Sequence, residues 1–196
     1  MKFLNLLAAS FNRLKDILLH ARQMYEGEKI TQFDAVLVVV LLMLLTILQR
    51  LLWALQANFP VSAMDVLQPV FLAVLLGWGG LSTLIYYVGR LAKHQPDFVR
   101  IAVLAGAAGL PLMLSTLLSV LITLVCLILG VSGNLDTWQM VHNMIGWIGI
   151  VLGWPGYLGS LALQMGAMIK KTSALIISLV LVLLLLLGTY LPVLIK

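Results

Sequence analysis

The sequence predicts an all-α polytopic membrane protein: five transmembrane helices preceded by an N-terminal amphipathic helix at the membrane interface. Three observations predict it. Hydrophobic residues fill 62% of the 196 positions and charged residues only 10%, where a soluble domain is about 45–50% apolar and about 25% charged. Five apolar stretches each reach the length of about 20 residues that a helix needs to cross a hydrocarbon core of roughly 30 Å. The basic residues fall in alternate loops, the pattern that orients a multi-span chain.

The first element covers residues 1–29. Its apolar residues Leu4, Leu7, Phe11, Leu14, Leu18 and Ala21 recur in steps of three and four, which draws one stripe along a helix. Arg13, Lys15, His20, Arg22 and Gln23 fall largely outside that stripe. Asn5, Asn12, Arg13 and Asp16 interrupt the apolar run, so it is not read as a signal peptide. Two destinations suit the stripe: the acyl boundary of the cytoplasmic interface, or a partner helix. The first is preferred. Glu26-Gly27-Glu28 ends the helix before the chain turns into the bilayer.

Residues 30–196 form the transmembrane domain, with spans at about 33–55, 66–91, 101–129, 141–168 and 174–195. Ten of the twelve Lys and Arg residues lie before the first span, between the second and third, or between the fourth and fifth. Basic residues in short loops stay in the cytoplasm, so the N-terminus is expected inside and the C-terminus outside. Trp53, Phe59, Trp138 and Tyr190 suit the outer aromatic belt, and Tyr86, Tyr87 and Phe98 the inner one. The formal charge of +5 is therefore a topology signal and an attraction to anionic headgroups. No nucleic-acid partner is expected, because no basic cluster carries interleaved exposed aromatics.

The third span is longer than a bilayer requires: 29 residues at 1.5 Å each give about 43 Å. The run Ala105-Gly106-Ala107-Ala108-Gly109 and Pro111 near its inner end predict a bend. Its first turns would then lie at the interface or along the second span. In the fourth span, Gly146, Gly149, Gly153, Gly156 and Gly159 step by three or four along one broad face. Small residues at this spacing let helix backbones approach closely in lipid. Pro155 inside that run predicts a kink or a loosened turn. Gly77 and Gly80, with Ser82, give the second span a lesser version of the same face. These seven glycines are the helix-packing candidates; a lipid or partner groove is the alternative use of the face.

No residue pattern calls for catalysis, a metal or a cofactor. Cys126 is the lone cysteine, which leaves no disulfide framework. His20, His94 and His142 lie on separate segments, and the seven acidic residues are split between the two faces. They do not pair as a general acid and base require. Gly77-Trp78-Gly79-Gly80 lies within a span and lacks the Lys-Ser/Thr that a phosphate loop carries. No charge falls at the middle of any span, which argues against an ion-coupled transporter.

One stretch carries more information than the rest: YYVGRLAKHQPDFVRIAVLAGAAGLP, residues 86–111. A span ending in YYVGR, a short polar loop with an aromatic, and a Gly/Ala-rich run leading to Leu-Pro together resemble the bacterial branch of the Yip (Ypt-interacting protein) family. Tyr86, Tyr87, Gly89, Arg90, Phe98, Gly106 and Leu110-Pro111 carry the resemblance. It implies five spans, a cytoplasmic N-terminus and short loops over about residues 33 to 195. Two departures stand out. Lys93-His94-Gln95-Pro96 replaces the Gly-Gly turn often found in relatives, and the long N-terminal region of eukaryotic members, with its Asp-Leu-Tyr-Gly-Pro motif, is absent. The role of those members in recruiting Rab-type GTPases is therefore not carried over.

The expected function is a non-catalytic scaffold or accessory subunit in a bacterial cytoplasmic (inner) membrane. It would pack against other integral membrane proteins, or itself, through its Gly-rich faces. The alternative is a lipid-binding or lipid-moving protein with a groove at spans three and four.

Overall fold

The computed structural model describes residues 2–26, 30–56, 62–91, 97–130, 135–166, 175–176, 178–180 and 183. Among them all regular structure is helical: α1 (Lys2–Glu26), α2 (Gln32–Gln56), α3 (Ala63–Leu91), α4 (Phe98–Ala108), α5 (Leu110–Ile128), α6 (Leu135–Ile148), a π-helical turn (Gly149–Gly153) and α7 (Trp154–Gly166). Three described segments are long and apolar enough to cross a membrane: Gln32–Leu55, Phe98–Ile128 and Asn143–Leu161, of 24, 31 and 19 residues. They correspond to the expected first, third and fourth spans. The second expected span falls on α3, which is not one of these three. Most of the fifth, with the loop before it, lies outside the described residues.

Local chemistry sets the helix boundaries. Thr31 and Asp34 form a reciprocal cap on α2: the Asp34 amide donates to Thr31 Oγ1 at 3.4 Å, and the Thr31 amide donates to Asp34 Oδ2 at 2.8 Å. That pairing satisfies donors that the first turn leaves without intrahelical partners. Asp97 caps α4 by accepting from the Val99 amide at 3.0 Å. At the other end of α5, Gly130 adopts φ +67°. Its amide donates to the Leu127 carbonyl at 3.1 Å, a left-handed stop that favours glycine.

The overlong third segment breaks at Gly109, between α4 and α5. The Gly109 amide turns back to the Gly106 carbonyl at 3.1 Å, and the Met113 amide resumes helical bonding to the Gly109 carbonyl at 2.9 Å. Pro111 sits in the first turn of α5, where its missing N–H costs no intrahelical bond. In the fourth segment the chain loosens into the π-helical turn immediately before Pro155. The proline ring would clash with a carbonyl one α-turn back. The wider turn relieves this, and the Trp154 amide reaches the Gly149 carbonyl five residues away.

Helix α4 is the hub. It is short, and Leu104 to Leu110 form an unbroken buried run around the break. On one side Ile101, Ala105 and Ala108 pack with Leu81 and Ile85 of α3 and with Tyr157 and Leu161 of α7. On the other, Leu104 and Leu110 join Val38 of α2, Met113 of α5, and Leu14 and Ile17 of α1. The alanines and glycine of α4 are what allow α2, α3, α5 and α7 to reach one short element.

Helix α1 divides the stripe read from the sequence. Leu14 is buried in the bundle and Leu7 is half-buried, whereas Leu4 is 67% and Phe11 49% exposed; the Leu18 side chain lies outside the described set. The docked face instead centres on Ser10, Leu14 and Ile17. A polar contact rotates it there, as described next.

Candidate functional site

The residues with the strongest structural constraints lie at three close approaches and two polar nodes. The first approach joins α5 to the fourth segment. A Cβ added to Gly153 would stand 2.5 Å from Ser115 Oγ and 3.2 Å from both Ser115 Cβ and Leu112 Cδ2. A Cβ on Gly156 would stand 2.6 Å from Pro111 Cβ. The second approach seats α4: a Cβ on Gly106 would lie 3.0 Å from Ala35 Cβ and 3.2 Å from Trp78 Nε1. Trp78 closes that socket by donating from Nε1 to the Ala102 carbonyl at 2.8 Å. The third is aromatic. The Tyr86 ring meets Tyr87 and Phe98 edge-on, at centroid distances of 5.6 and 5.7 Å, and the Arg90 guanidinium lies 5.7 Å from its centroid.

The glycines picked out in the sequence therefore divide. Gly153 and Gly156 are contact points within the chain. Gly77, Gly80, Gly146, Gly149 and Gly159 have no described atom within 4 Å of the position a Cβ would take. Of the residues that carried the family resemblance, Tyr86, Tyr87 and Arg90 gather with Phe98 at the corner between α3 and α4. Gly106 fills the α4 socket, and Pro111 fits over Gly156. Gly89 lies in the last turns of α3, and its surroundings fall outside the described set.

The two polar nodes were not singled out in the sequence. In the first, Asp34 is fully buried at the start of α2 and accepts a bidentate pair from Arg13 of α1: Nε to Oδ2 at 2.8 Å and Nη2 to Oδ1 at 2.9 Å. Arg13 Nη2 also donates to Ser10 Oγ at 2.9 Å, and Thr31 Oγ1 donates to Asp34 Oδ2 at 2.8 Å. The bond to Asp34 raises the Arg13 pKa further above its ordinary value. A carboxylate so placed is tolerable only because it is paired and hydrogen-bonded on both oxygens. Its demand for Arg13 fixes how α1 docks. The legible signal was Thr31-x-x-Asp34, a capping pattern beside an arginine-bearing helix.

In the second node, Gln49 Nε2 of α2 donates to Thr123 Oγ1 of α5 at 2.8 Å. Thr123 and Ser119 each donate to the carbonyl four residues back, so their hydroxyl protons are already committed within α5. Gln49 Oε1 is buried with no hydrogen-bond partner. Among the described residues no group of three His, Cys, Asp or Glu side chains is placed to hold a metal ion.

This is the chemistry of helix packing within a bilayer: small residues at contacts, hydroxyls bonded back to their own helices, and an ion pair between Arg13 and Asp34. Comparison with family models finds the Yip1 domain over residues 20–191. No curated protein and no solved structure matches the chain. The family match embraces the α3–α4 corner, the α4 socket and the Pro111–Gly156 contact, and the chain belongs to the Yip1 domain family.

Proposed function

We propose that the protein is a non-catalytic membrane scaffold or accessory subunit that binds other integral membrane proteins through its unfilled glycine face. It crosses the membrane five times, with the N-terminus cytoplasmic and the C-terminus outside, in a bacterial inner membrane. Helix α1 lies along the cytoplasmic interface, with Leu4 and Phe11 toward the acyl boundary. The observation that carries the reading is the division among the glycines of the fourth segment. Gly153 and Gly156 are taken up by α5, while Gly146 and Gly149, one turn apart, leave space where a neighbouring helix could seat. Close backbone approach is how helices associate when lipid removes the hydrophobic drive between them.

A lipid groove between spans three and four is the alternative, but Ser115, Leu112 and Pro111 already occupy that seam. Purification in mild detergent tests the choice. A stoichiometric membrane-protein partner is expected, and Gly146→Leu should release it while the chain still inserts and folds. Retention of the partner by that variant would refute the glycine-face interface. A chain that purifies alone and moves labelled lipid between liposome leaflets would refute the scaffold reading.

A further inference from the structure

The α3–α4 corner holds a cation and an aromatic cluster that helix packing alone does not use, and α3 continues from it as an open strip. Gly80, Thr83, Leu84, Tyr87 and Arg90 are all exposed, and their three- and four-residue spacing puts them on one face. From Gly80 to Arg90 the strip is about 15 Å long at 1.5 Å per residue, roughly half of a 30 Å hydrocarbon core. Neither Gly79 nor Gly80 has a described atom within 4 Å of its Cβ position, which leaves the strip open at that end.

We propose that this strip binds one anionic phospholipid, with its phosphate on Arg90 and an acyl chain laid along Tyr87, Leu84, Thr83 and Gly80. The strip is matched to an amphiphile of that polarity: a cation at one end and an apolar track one leaflet deep below it. Arg90 is pre-positioned by its contact with the Tyr86 ring, which is itself wedged between Tyr87 and Phe98. A guanidinium held this way loses less freedom when it binds a phosphate, and its planar fork can engage two oxygens. The Asp97 carboxylate beside the corner accepts from the amide of Val99 at its own helix terminus. A soluble anion would use the cation but not the apolar track. The proposal does not depend on the scaffold reading, because it concerns the isolated chain.

Native mass spectrometry of the full-length protein, released from detergent with phosphatidylglycerol or phosphatidylcholine added, measures the binding directly. One phosphatidylglycerol per chain is expected, bound at least about fivefold more tightly than phosphatidylcholine, the effect of one interfacial cation on an anionic headgroup. Arg90→Gln should abolish that preference. Arg90→Lys keeps the charge and the topology signal but loses the planar stack, and should weaken binding by about two- to fivefold. A role confined to topology would leave Arg90→Lys like the parent. Gly80→Leu should weaken phosphatidylglycerol with the cation intact, and its exposed, open position keeps the fold in place. Equal affinity for the two lipids, unchanged binding in Arg90→Gln, or full competition by inorganic phosphate would overturn the proposal. So would a crosslinked dimer in which a second copy covers the strip.

Discussion

Substituting Gly156 by Ala tests the close packing of the third and fourth segments at its least forgiving point. The new Cβ would stand 2.6 Å from Pro111 Cβ and 3.2 Å from Pro111 Cγ. Carbon atoms rest at about 3.5–4.0 Å, so α5 and α7 must part by about 1 Å. The proline ring cannot rotate out of the way. Overpacking of this kind costs about 1–3 kcal/mol, partly offset by up to ~1 kcal/mol gained on replacing a helical glycine. The net loss is about 1–2 kcal/mol, a fall in Tm of about 2–8 °C for a chain of this size. Gly159→Ala is the control: same helix, same chemistry, but no described atom within 4 Å. It should leave Tm unchanged or raise it slightly. Thermal unfolding of both variants in one detergent decides the matter. A Gly156→Ala protein no less stable than Gly159→Ala would refute the close approach.

Removing Arg13 by Arg13→Leu leaves the Asp34 carboxylate buried and unpaired, so stability should drop by about 3–5 kcal/mol. The Arg13→Leu/Asp34→Asn double variant should recover much of that loss in the same unfolding assay, and failure to recover would mean the pair is not the link between α1 and α2. Gln49→Leu removes both the bond to Thr123 and the unpartnered Oε1, whose burial costs about 1–3 kcal/mol. Unfolding should therefore show no loss or a small gain; a loss above about 2 kcal/mol would mean that Oε1 has a partner in the membrane.

Much of the fold is legible from apolar length alone, because a bilayer imposes one length on every span. The expected spans at 33–55 and 101–129 lie within three residues of Gln32–Leu55 and Phe98–Ile128. The break before Pro111 and the loosened turn before Pro155 are legible for a different reason: proline acts on its own preceding turn, within reach of local sequence. What stays hidden is rotation about a helix axis. Five glycines at helical spacing look alike in sequence, yet only Gly153 and Gly156 meet α5. The inserted residue of the π-helical turn and the break at Gly109 re-aim the faces below them. The stripe of α1 is divided for a related reason. Periodicity weighs Leu4, Phe11 and Leu14 equally, whereas a partner 21 residues away, Asp34, chooses which side turns inward.

The central place of α4 also bears on the order in which the chain assembles. Its Ala105–Ala108 face finishes against Tyr157 and Leu161, synthesised about 50 residues later. At 5–20 residues per second the ribosome leaves that face uncovered for roughly 3–10 s. During this interval a small-residue helix, ready for close contact, sits beside α2 and α3 with its last neighbour still missing. A helix of another chain that reaches it first would occupy the place of α7. Chains arrested just before Tyr157 should therefore crosslink at Ala105 to other membrane proteins, and chains arrested well beyond Leu161 should not.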